Sequence, residues 1–89
     1  MTVMDSYLSD IWKRTLKLIL ERGKQKELLD DLIFNQFFSQ SRLVDLNESK
    51  ALIAAPGFLE CSIMLQNKNI VEEAISEVQE RQITCDIVT

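Results

Sequence analysis

The segment RLVDLNESKALIAAPG, from Arg42 to Gly57, decides the fold. Two short apolar runs, Arg42 to Leu46 and Lys50 to Ala55, flank the polar trio Asn47-Glu48-Ser49, whose side chains favour a turn. Pro56-Gly57 ends the second run, because proline has no amide proton to give to a sheet ladder. The pattern predicts two strands joined as an antiparallel hairpin.

Outward toward the N-terminus, helical spacing takes over. Leu8, Ile11, Trp12, Thr15, Leu16 and Ile19 recur every three or four residues. Ser6 reads as an N-cap, Asp10 puts negative charge near the helix start, and Gly23 after Arg22 reads as a C-terminal stop. At 100° per residue the polar wedge holds Asp10, Lys13, Arg14, Lys17 and Glu21. Tyr7, Leu18 and Leu20 widen the apolar face beyond what one core stripe needs, so a spare flank is expected to be partly exposed. A second helix is expected over about Lys26 to Ser39, with Leu28, Leu29, Leu32 and Ile33 on one side. Phe34, Phe37 and Phe38 make its last turns apolar nearly all round, which means deep burial or a distortion near Asn35.

Outward toward the C-terminus, a helix is expected from Phe58, with Phe58, Leu59, Ile63 and Met64 as buried candidates. Asn67-Lys68-Asn69 breaks or kinks it. Ile70, Val71, Ala74, Ile75 and Val78 then share one face against Glu72, Glu73, Glu77 and Glu80. Ile83, Cys85 and Ile87 alternate with Thr84 and Asp86, the mark of a half-buried strand. The order is α-α-β-β-α-β: an α+β domain, residues 1–89, with a three-stranded sheet packed by helices.

Composition bounds the function. Eighty-nine residues, 46% hydrophobic and 27% charged, make one folded domain. A net charge of -4 disfavours autonomous binding to phosphate backbones. The first residues carry no basic region or apolar signal core, and no apolar run approaches the ~20 residues of a membrane span, so a cytoplasmic protein without membrane contact is expected. Cys61 and Cys85 sit among apolar neighbours and read as reduced core residues.

Catalytic signatures are missing. Without histidine there is no imidazole base or ligand, and Gly23 and Gly57 lie too far apart for a phosphate-cradling loop. Asp30-Asp31 and Glu72-Glu73 are adjacent pairs, which diverge by about 100° on a helix and suit a solvated surface. The expectation is a non-enzyme that uses no cofactor and no metal. The architecture is KH-like, but the Gly-x-x-Gly loop with which KH modules clamp RNA is absent.

These elements resemble domain I of the bacterial replication initiators of the DnaA family, over about Tyr7 to Val88. The resemblance rests on Leu8-Ser9-Asp10-Ile11-Trp12-Lys13-Arg14-Thr15-Leu16, on the hairpin running into Ala55-Pro56-Gly57-Phe58-Leu59, and on the last helix and strand. There are departures. The chain between Leu20 and Phe34 is longer by about two helical turns, Ile33 stands where an acidic residue is often found, and Gly57 replaces an asparagine. The resemblance implies a protein-interaction domain that self-associates through its first helix and docks the replicative helicase and regulators. It implies at most weak contact with single-stranded DNA. The family's helicase-contacting phenylalanine falls on Leu59, or on Phe58 with a one-residue shift. An ATPase and an origin-reading module would follow beyond Thr89.

The expected interface residues are therefore Leu8, Trp12, Leu16, Phe58 and Leu59. Periodicity alone leaves Trp12 equally suited to the core, and the resemblance places it at an interface. Of Phe58 and Leu59, one is expected to be buried and the other partly exposed. The alternative is a free-standing small adaptor or regulator of the same fold. A third reading, a nucleic-acid module using Lys13, Arg14 and Lys17, ranks well behind.

Overall fold

A computed structural model describes residues 3–89. The elements are α1 (Val3–Gln25), α2 (Asp31–Phe37), β1 (Arg42–Leu46), β2 (Lys50–Ala54), α3 (Phe58–Gln66), α4 (Lys68–Gln79) and β3 (Thr84–Val88). The hairpin forms as residues 42–57 predict: β1 and β2 pair antiparallel, while β2 and β3 pair parallel, giving a mixed sheet in the order β1-β2-β3. A parallel neighbour requires a crossover, and α3 and α4 supply it. Asn67 separates these two helices, so the expected break is there.

Alternation along the strands sets the layers. Ala51 and Ile53 of β2 lie level with Cys85 and Ile87 of β3, and all four are buried. Lys50, Leu52 and Ala54 point the other way with Thr84, Asp86 and Val88, and none of these is buried. The helices thus cover one sheet face. Helix α1 packs on α4 and β1, and α2 packs on α3. Between the layers lie Ile19, Phe38, Ile53, Met64, Val71, Ile75 and Ile83.

Polar links tie the layers together. Arg22 pairs with Glu73 and Glu77, and Lys26 pairs with Glu73, joining α1 to α4. The Ser76 hydroxyl accepts from the Ile83 amide at 2.9 Å, and Glu72 accepts from the Cys85 amide at 2.8 Å, which hold β3 against α4. At the hairpin turn the Asn47 carboxamide oxygen accepts from the Ser49 and Lys50 amides. Among the described residues no helix is long and apolar enough to cross a membrane.

The N-terminal third departs from the sequence expectation in three ways. Helix α1 already runs from Val3, so Ser6 lies inside it and is not its cap. Gly23 does not stop the helix, which continues to Gln25. The stop is instead a left-handed residue at Glu27 (φ 59°), with the Leu28 amide bonded to the Gly23 carbonyl at 2.8 Å and the Glu27 amide to the Lys24 carbonyl at 3.1 Å. Glycine usually fills that position, and here glutamate does. Helix α4 ends the same way, on Glu80 (φ 56°). Finally, residues 26–30 are spent on this turn and on the Asp30 cap, whose carboxylate accepts from the Ile33 amide at 2.8 Å. The second helix is therefore only seven residues long and has no buried residue. Leu28 and Leu32, expected on its packed side, are 55% and 73% exposed, while Leu29 is buried. Phe38, just past the helix, is the phenylalanine that reaches the core, and it stacks on Phe34 with centroids 6.0 Å apart.

Gly23 has a packing reason to be glycine. A Cβ there would lie 2.6 Å from the Cβ of Leu29, so the missing side chain is the space that Leu29 fills. Gly23→Ala is expected to destabilise by about 1–2 kcal/mol in urea unfolding, although alanine is the better helix former, because overpacking outweighs propensity. Adding Leu29→Gly removes every atom of the clash, the Leu29 Cβ included, so the double variant should lose less than the two single losses combined.

Candidate functional site

The five expected interface residues fall into two separate places. Leu8, Trp12 and Leu16 lie along α1, beside a groove of about 450 Å³ between α1 and the edge strand β1. Leu8 and Trp12 form its buried floor with Leu43, and Leu16 is half-buried. Trp12 is a core residue, only 3% exposed, which is the position that periodicity alone allows it. Its indole N–H donates to the Ser41 carbonyl at 3.1 Å and to the Ser41 hydroxyl at 3.2 Å. Ser41 in turn donates to the Phe38 carbonyl at 2.5 Å, so Trp12 locks the segment that leads from α2 into β1. What α1 leaves open is the flank beside Trp12, with Ser9, Lys13 and Leu16. Across the groove, the β1–β2 register shifts between Leu43 and Asp45. Val44 is exposed there and lines the groove, as a bulge at an edge strand allows.

Phe58 and Leu59 begin α3, and the structure overturns the expectation that one of them is buried. Phe58 is 87% exposed and Leu59 60%. The helix explains it. Met64 is the buried residue of α3. At 100° per residue Phe58 lies about 120° from Met64, with Ser62 and Leu65 beside it on the solvent side. Gly57 precedes the helix and offers no capping side chain. A second groove, about 370 Å³, runs between this face and the end of β3, lined by Phe58, Cys61, Ser62, Leu65, Val88 and Thr89. Its walls are mainly apolar, and Leu65 and Val88 are both exposed.

Sequence reasoning missed Leu65 and Val88. Leu65 follows Phe58 by seven residues and so shares its face, a spacing visible in the sequence. Val88 reaches the groove only through the parallel register that sets it beside Ala54, which no local pattern encodes.

The cysteines differ in kind. Both are free. Cys61 sits half-buried on the groove wall, its thiol 3.5 Å from the Ile87 carbonyl. Cys85 is buried in the sheet, and burial, reinforced by the negative charge of Glu72, pushes its thiol up to about 12 from an ordinary 9.0. A maleimide at neutral pH is expected to label Cys61 quickly and Cys85 only on unfolding, read by mass spectrometry of the peptides. The raised value favours the protonated thiol in the folded state. Its stabilising contribution is complete below pH 9 and is lost as pH rises from 9 toward 12. Cys85→Ala should lack that component of the alkaline loss.

Among the described residues no group of three or more metal-ligating side chains converges. No protein-family model matches the chain, and no curated protein matches it.

Proposed function

We propose that this chain is a protein-interaction domain of a DnaA-type replication initiator, which docks the replicative helicase and regulators through the start of α3. One observation carries the reading: Phe58 and Leu59, directly after Pro56-Gly57, are both open to solvent. These are the positions where the resemblance puts the helicase contact. Phe58 shares an apolar groove with Leu65 and Val88, and such a surface suits a partner better than water. In this reading the domain acts in the cytoplasm, performs no catalysis and binds no cofactor. It self-associates weakly through the open flank of α1, and its net charge of -4 limits contact with single-stranded DNA.

The test is calorimetric titration of the chain into the replicative helicase of the same organism. The reading expects saturable binding with a Kd on the order of micromolar and a negative heat-capacity change from apolar burial. Absence of binding, with the chain shown folded by circular dichroism, rejects the helicase as partner.

A further inference from the structure

The α1–β1 groove has a charge that sets it apart from the protein around it. The whole chain carries fourteen acidic and ten basic residues. Yet the groove is lined by two cations and no carboxylate: Lys13 on the α1 lip and Arg42 on the β1 lip, over the apolar Trp12, Leu16, Leu43 and Val44. Neither cation makes an ion pair among the described residues. An occupant must therefore be apolar at its centre and acidic at its edges.

The chain itself displays such a surface. The turn from α1 into α2 reads Glu27-Leu28-Leu29-Asp30-Asp31-Leu32. Leu28 follows the left-handed Glu27, where such a residue would normally pack on the side chain of the position five before it. That position is Gly23, which has none, so Leu28 stands 55% exposed. Leu32 lies on the outer side of the short α2, and Glu27, Asp30 and Asp31 surround the two leucines with negative charge. Lys24 neutralises Asp31 alone, at 2.9 Å. The knob does not fill the groove of its own molecule: Leu28 and Leu32 stand exposed and neither lines it.

We infer that the occupant of the groove is a second copy of this chain, which inserts its Leu28–Leu32 knob between Lys13 and Arg42. This rests on the self-association proposed above and specifies its geometry. Groove and knob are different surfaces, so the contact is heterologous. Each copy bound through its knob still presents a free groove, and assembly continues into a ring or an open helical array.

Sedimentation velocity with two double variants tests this. The groove variant is Lys13→Glu with Arg42→Glu, and the knob variant is Leu28→Ser with Leu32→Ser. All four side chains are exposed, and circular dichroism verifies that both variants keep the fold. The wild type is expected to grow past the dimer as concentration rises. Each variant alone should be monomeric, with its dissociation constant raised at least tenfold. An equimolar mixture should form a one-to-one dimer and stop, because one intact groove meets one intact knob. A wild type that stops at the dimer, with a knob variant that dimerises equally well, would overturn the head-to-tail contact while leaving self-association through α1 in place. A mixture that stays monomeric also overturns it. A wild type monomeric at every concentration overturns both.

Discussion

Trp12→Ala is expected to destabilise the domain by about 3–5 kcal/mol, the range for deleting a large buried aromatic. Two effects add. The indole leaves a cavity under α1, with Leu8, Ile11 and Leu43 also in that core. The Ser41 carbonyl and hydroxyl lose the donor that both accept from, at 3.1 and 3.2 Å. A buried acceptor left without its partner costs about 1–3 kcal/mol in general. For a domain whose total stability is of order 4–13 kcal/mol at 0.05–0.15 kcal/mol per residue, this approaches unfolding. Urea unfolding followed by circular dichroism checks it. Trp12→Phe separates the terms, since it keeps most of the packing and loses only the hydrogen bonds. It follows that loss of self-association in Trp12→Ala would report on folding and not on an interface. Lys13 and Arg42 are the positions at which that question can be asked cleanly.

Phe58→Ser should do the reverse, leaving the fold intact and removing partner binding. A side chain 87% exposed loses little when truncated in the free domain, so the unfolding midpoint should stay within about 0.5 kcal/mol of wild type. If Phe58 anchors the docked partner, its truncation should weaken binding by about 2 kcal/mol or more, roughly thirtyfold. Leu65→Ser should weaken it less, as a flanking contact. Calorimetry with the helicase reads both. A stability loss in Phe58→Ser that matches the affinity loss would mean the residue supports the fold and not the partner.

Much of this fold is written in local pattern. The hairpin, the break at Asn67, the apolar face of α4 and the alternation of β3 each depend on residues close in sequence, where spacing and turn chemistry suffice. The failures share a cause. Gly23 reads as a helix stop, but tertiary packing of Leu29 uses its missing side chain, and the actual stop is a glutamate in a conformation glycine favours. Leu28, Leu29 and Leu32 read as one stripe only if a helix runs through them, and the turn at residues 26–30 scatters them. Trp12 sits at the centre of its helical stripe, yet its burial depends on Ser41, twenty-nine residues away. Phe58 and Leu59 look buried because they are large and apolar, whereas helix phase turns both to solvent. What the sequence hides is thus the partner of each face, which only the assembled layers decide.

The proposed docking surface is the start of α3 together with the end of β3. Titrating the ¹⁵N-labelled domain with the replicative helicase and following its amide resonances tests this directly. The perturbed amides are expected to cluster on residues 57–66 and on Val88, with the open sheet face around Lys50 and Asp86 unmoved. Perturbations confined to that sheet face, or none at saturating helicase, would contradict it.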